Sequence, residues 1–133
     1  MSKPELFIGA SEGRGRGVFT NKMIKAKTVI EISPVIVMSN DDRQWLDKTL
    51  LHDYIFVWGK LQDKCCMALG LVPMYNHSYK SNCEYFMDFE DDTITIETVR
   101  DIKSGEELTI NYNGDCNDPA KLWFDADSES RNK

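Results

Sequence analysis

No run in this sequence approaches the roughly 20 apolar residues of a membrane span, and the opening Met1-Ser2-Lys3-Pro4-Glu5 has no apolar stretch of signal-peptide length. A soluble, intracellular protein with no membrane partner is expected. Histidine is scarce, with only His52 and His77, and the four cysteines at 65, 66, 83 and 116 contain no CxxC pair. That spacing argues against a zinc site, so no metal is expected, and it favours buried free thiols. Cations are thin in the second half: residues 83–133 carry 14 acids against five Lys or Arg, within a net charge of −6. Direct nucleic-acid binding is disfavoured, because phosphate contacts need clustered cations, whereas a basic partner suits this charge balance. At 133 residues the chain fits one domain, large enough to bury a core without disulfides or metal. Nothing repeats at a fixed period, and no linker divides the chain.

What is present is mostly strand. Val29-Ile30-Glu31-Ile32, Val35-Ile36-Val37-Met38, Tyr54 to Trp58 and Thr93 to Val99 are short runs rich in β-branched or aromatic residues. Cys83 to Phe89 and Thr93 to Val99, joined by Glu90-Asp91-Asp92, predict an antiparallel hairpin, and Ser104-Gly105 a turn before a strand from Glu107 to Asn111. A helix is predicted over about Asp41 to Leu51, capped by Ser39 or Asn40. A second, short one starts at Asp118-Pro119. The fold class is mainly β with one or two short helices, and the polar residues Asp125 to Lys133 read as a frayed tail.

Three segments carry the chemistry. Gly15-Arg16-Gly17 runs into Val18-Phe19 without the third glycine, preceding strand and following helix of a dinucleotide fingerprint. Such glycines serve a tight turn or let backbone approach a ligand. Asn76-His77-Ser78 is formally a glycosylation sequon, accidental in a chain that is not exported. The third segment is Gly105-Glu106-Glu107-Leu108-Thr109-Ile110-Asn111-Tyr112. Taken singly, the Asn-His pair reads as a satisfied turn and Tyr112 as a core tyrosine.

Their order and spacing resemble the SET-domain protein lysine methyltransferases, from about Phe7 to Gly114. Arg14 to Phe19 is similar to the family's GxGVF turn, Met74 to Ser78 to its NHS segment, and Gly105 to Tyr112 to its closing GEELTxxY strand. In length the chain resembles the minimal stand-alone, viral-type SET histone methyltransferase. The resemblance implies a SET-domain (β-clip) fold of small sheets with a carboxyl-terminal pseudoknot that sets the central and closing motifs side by side. It implies a SET domain over residues 1–114 and a tail, 115–133, without the zinc-binding cysteines of many members: Tyr79 follows the NHS segment and only Cys116 lies beyond Tyr112. It further implies S-adenosylmethionine as cofactor, contacted by Gly15, Arg16, Gly17, Asn76 and His77, and a basic protein substrate, either a histone tail or another lysine-bearing protein.

Methyl transfer to lysine needs the neutral amine, whereas a solvated lysine with pKa near ~10.4 is almost wholly charged at neutral pH. A narrow tyrosine-lined channel disfavours the ammonium by desolvation, so no general base is compulsory. By position in the family, Tyr112 is the catalytic tyrosine and Tyr54 a second candidate that bears on the methyl or amine. Tyr85, Tyr54 and Trp123 are expected to wall the channel, Trp123 with the alternative of plain packing. Ile110 stands where some members carry an aromatic that influences how many methyls are added. The short stretch between Ser39 and Lys64 leaves little room for a substrate-recognition insertion, and a homodimer that shares surface would complete the groove. The alternative function is a non-catalytic SET-like module that binds cofactor or peptide.

Overall fold

The computed structural model describes residues 5–112. Its elements run in the order β1 (Leu6–Ser11), β2 (Gly15–Thr20), β3 (Val29–Met38), α1 (Asn40–Leu46), a 3-10 turn at Leu50–Asp53, β4 (Phe56–Trp58) and β5 (Lys64–Ala68). A second 3-10 turn at Val72–Met74 follows, then β6 (Asn76–His77), β7 (Cys83–Asp88), β8 (Thr93–Thr98) and β9 (Glu107–Ile110). They form two sheets, one ordered β1-β2-β9-β6 and the other β4-β5-β3-β8-β7. The mainly-β expectation therefore holds, and so does the β7/β8 hairpin, paired antiparallel from Cys83 opposite Thr98 to Asp88 opposite Thr93.

Three local expectations change. Val29 to Met38 is one strand rather than two, although Pro34 lies inside it. The proline sits where the strand changes partner, since residues 29–34 pair with β8 and residues 35–38 with β5. Its missing N–H falls at that handover and costs the ladder little. The expected helix over residues 41–51 splits: α1 ends at Leu46, and Thr49 caps the separate 3-10 turn by accepting from the Leu51 N–H. No residue of α1 is fully buried, and packing that slight does not sustain a longer helix. Ser39 caps α1 as expected, in a reciprocal box with Asp42. Finally, the strand expected from Tyr54 begins at Phe56, because Tyr54 still closes the 3-10 turn through its N–H to the Leu51 carbonyl. The helix expected at Asp118-Pro119 lies outside the described residues.

The two sheets share one core. Ile94 and Ile96 alternate with partly exposed Thr93, Thr95 and Glu97 along β8, so one face of that strand is buried and the other is not. Val18, Leu108 and Ile110 bring the first sheet to the same cluster, which also holds Trp58, Cys66, Val72, Tyr75 and Cys83. Each fully buried aliphatic side chain contributes about 1.5–3 kcal/mol. Cys65, Cys66 and Cys83 are buried free thiols. Burial pushes the Cys66 and Cys83 thiols up to about 12 and so keeps them inert. No helix among the described residues is long and apolar enough to cross a membrane.

Candidate active site

Strand β9 brings the three motifs together. It lies between β2 and β6, antiparallel to the first with Val18 opposite Leu108, and parallel to the second with Asn76 opposite Thr109 and His77 opposite Ile110. Residues far apart in sequence thus meet at one junction, as the pseudoknot expectation requires. Asn76 is 2% exposed, and its Nδ2 donates to the Arg16 carbonyl at 3.0 Å and to Glu107 Oε2 at 2.8 Å. The other Glu107 oxygen accepts from the Ser11 hydroxyl at 2.8 Å.

Gly17 faces this cluster, and a Cβ built there would stand 2.8 Å from Asn76 Nδ2 and closer still to the Glu107 carboxylate. The glycine makes room for protein side chains at this point, which is a use of close approach that the motif alone does not reveal. Gly15 takes φ of 74° at the start of β2, opposite Ser11, so the hairpin turn occupies residues 12–14 rather than Gly15-Arg16-Gly17. Arg16 is exposed and contributes its carbonyl to Asn76.

On the other side of Asn76 lies a group of aromatic residues. His77 Nδ1 accepts from the Tyr112 N–H at 3.1 Å, its ring meets Tyr79 edge-on at 4.3 Å and Tyr112 tilted at 5.1 Å, and its carbonyl accepts from Arg14 at 3.1 Å. The accepting Nδ1 places any proton of the neutral ring on Nε2. The Tyr112 hydroxyl donates to the Tyr75 carbonyl at 2.8 Å. Burial, above all, pushes the Tyr112 phenol well up, nearby Tyr54, Asp53 and Glu107 add to that, and Arg14 opposes it. Tyr112 is therefore a neutral hydroxyl at any physiological pH.

The Tyr85 hydroxyl donates to the Tyr112 carbonyl at 3.2 Å, and its ring packs edge-on against Phe56 at 5.6 Å. Burial raises its phenol to about 12. Tyr85 and Tyr112 are thus in contact, and Tyr54 lies near enough to act on Tyr112 electrostatically. Trp123 lies outside the described residues, as do Phe124 and Cys116. Among the described residues no three His, Cys, Asp or Glu side chains converge as a metal ion would require.

Two supports of the site escape sequence reasoning. Glu31 accepts from the Tyr75 hydroxyl at 3.0 Å, the Ser33 hydroxyl at 2.7 Å and the Leu71 N–H at 2.7 Å, which fixes the segment that ends in Asn76 from behind. A single acid within the apolar run Val29 to Ile32 is the only hint the sequence offers. Asn82, 2% exposed, donates to the Glu107 carbonyl at 2.8 Å and accepts from the Thr109 N–H at 2.8 Å. Its amide thereby imitates a neighbouring strand along β9. No periodicity marks it, because the partner is 27 residues away.

Residues 39–63 are organised differently. Trp45 is 70% exposed, Leu50 75% and Leu61 83%, while Leu51 and Val57 are also exposed. Tyr54 belongs to this segment, which carries more exposed apolar side chains than the junction does.

The fold and this junction define a SET-domain protein: the SET domain matches residues 15–113, and the chain belongs to that family. It is an enzyme of the family's protein-lysine N-methyltransferase class. A histone-lysine N-methyltransferase of Schizosaccharomyces pombe, H3 lysine-37 specific, is 39% identical over 129 residues, 96% of this chain and 82% of that protein. A solved Plasmodium falciparum structure, assigned as a histone methyltransferase, superimposes with a TM-score of 0.65 at 25% identity, over 93% of this chain and 99% of that one. The Polycomb Repressive Complex 2 of Chaetomium thermophilum, in a humanized mutant form, contains a similar fold, with a TM-score of 0.71 at 20% identity over 90% of this chain and 16% of the larger one.

Proposed function

We propose that this chain transfers a methyl group from S-adenosylmethionine to the ε-amine of a lysine in a histone tail, with histone H3 as the first substrate to test. The observation that carries this reading is the convergence of Asn76, His77 and Tyr112 on the paired strands β6 and β9, beside Tyr85. The donor set fits the cofactor. Both Nδ2 bonds of Asn76 go to acceptors, so its Oδ1 is the atom left to meet an ammonium, and Gly15 and Arg16 border the same junction. When bound, S-adenosylmethionine supplies an electrophilic methyl on a cationic sulfonium.

The residues of this chain do the rest. Tyr112, held neutral and donating to the Tyr75 carbonyl, presents a fixed hydroxyl oxygen with which to orient the substrate amine. Tyr85, neutral up to about 12, offers a ring wall that excludes water from an incoming lysine stem, and Tyr54 flanks it. Exclusion of water lowers the lysine pKa, and its proton leaves to solvent before attack. Gly17 serves this chemistry indirectly, by letting Asn76 and Glu107 approach β2. The acidic balance of the chain favours approach of a basic tail. The substrate of the fission yeast relative, lysine 37 of histone H3, is the first residue to examine.

The experiment is transfer of labelled methyl to core histones, with the modified residue located by mass spectrometry. Label on a defined lysine is the expected outcome. Cofactor binding without transfer to any histone would replace this reading with that of a non-catalytic binding module.

A further inference from the structure

We infer that Glu107 is a positioning residue for the cofactor's amino-acid end, acting through the side chain of Asn76; this inference rests on the function proposed above. A primary amide has two faces, and only one of them accepts. Which face Asn76 turns toward the ligand is decided by what holds its nitrogen. Both partners of Nδ2, the Arg16 carbonyl at 3.0 Å and Glu107 Oε2 at 2.8 Å, are pure acceptors. A flipped amide would set its oxygen against both, so the flip is forbidden while Glu107 is ionised. Oδ1 is then fixed on the opposite side, where no donor from the described residues reaches it although Asn76 is 2% exposed. An acceptor so placed suits an ammonium group.

Glu107 is itself held. Ser11 donates to Oε1 at 2.8 Å, Phe19 faces it in the β2 register, and Gly17 leaves the gap through which the carboxylate reaches Asn76. Its negative charge also polarises the Asn76 amide, which strengthens Oδ1 as an acceptor in a site of low dielectric. A group that merely pins β1 and β2 to β9 would need the Ser11 bond alone. The short second bond to the amide of the Asn-His motif is what assigns the positioning role.

The test is the affinity for S-adenosylhomocysteine, by calorimetry, of the full chain and of Glu107→Ala, Glu107→Gln, Asn76→Ala and the double variant Asn76→Ala/Glu107→Ala. Affinity is expected to fall about tenfold in Glu107→Ala and to recover to within about threefold in Glu107→Gln, whose oxygen still accepts. In the Asn76→Ala background the Glu107 change is expected to add nothing, because two residues that act as one unit are not additive. Glu107→Asp, with its oxygens drawn back by one methylene, substitutes for Glu107→Ala if that variant does not fold, with the same expectation. Unchanged affinity in the Glu107 variants, or losses that multiply in the double variant, would overturn the inference. Failure of the unaltered chain to bind would instead remove the proposed function, which keeps the two outcomes distinct.

Discussion

The junction of β2, β6 and β9 and the segment 39–63 differ in how they satisfy their own groups. At the junction, Asn76, Asn82, Glu107 and Tyr112 bond to one another's strands, and Asn76 and Asn82 are nearly sealed from solvent. In the segment 39–63, α1 has no fully buried residue and Trp45, Leu50 and Leu61 face outward. The contrast teaches that the junction proposed to hold the cofactor is preorganised, so its geometry costs little at the moment of reaction, whereas the segment 39–63 leaves apolar surface to be covered.

That comparison can be broken at the junction first. Tyr112→Phe is expected to lower turnover by about 10²–10³-fold with cofactor affinity retained, the usual scale for one positioned polar group, and steady-state kinetics check it. Parent-like turnover would show that the junction does not house the chemistry. Asn82→Ala strands the Glu107 carbonyl and the Thr109 N–H, and a loss of about 2–4 kcal/mol in urea unfolding is expected. A change below about 0.5 kcal/mol would mean that β9 is held by its ladder alone.

Alkaline pH strains the same region. Tyr85 is raised from 10.0 to about 12 and Cys83 from 9.0 to about 12, so the folded chain holds these protons more tightly than the unfolded one. Their contribution is full below pH 9, declines as the unfolded groups ionise, and is gone above about 12. Thermal melts are therefore expected to show no effect of these groups between pH 7 and 9 and a falling midpoint above it; a midpoint that rises there would contradict the assignment. At the other pole, Trp45→Ala is expected to change stability by less than about 0.5 kcal/mol, as surface substitutions do. A larger loss in the same unfolding assay would erase the contrast between the two regions.

Much of the fold was legible because its signals are local. The Cys83 to Phe89 hairpin shows in alternation and turn residues, and the Ser39 cap in spacing. Pro34 misleads for an equally local reason, since nothing near it in sequence announces a change of partner strand. β6 has only two residues and is defined by its pairing to β9, so no pattern of its own predicts it. The positions of Asn76, His77 and Tyr112 at one junction came from the order of motifs. Their supports, Glu31, Asn82 and Glu107, did not, because apart from the Ser33 to Glu31 bond the quoted bonds that hold them span 24 residues or more. Tertiary hydrogen bonds of that reach leave no periodic trace.

The central claim is that the junction of Asn76, His77 and Tyr112 performs lysine methylation. Its most direct test is a single-turnover assay on histone H3 with the parent chain and Tyr112→Phe, both first shown by calorimetry to bind S-adenosylhomocysteine equally. The account predicts one defined lysine methylated by the parent and a rate about 10²–10³-fold lower in the variant. Equal rates from the two proteins would contradict it.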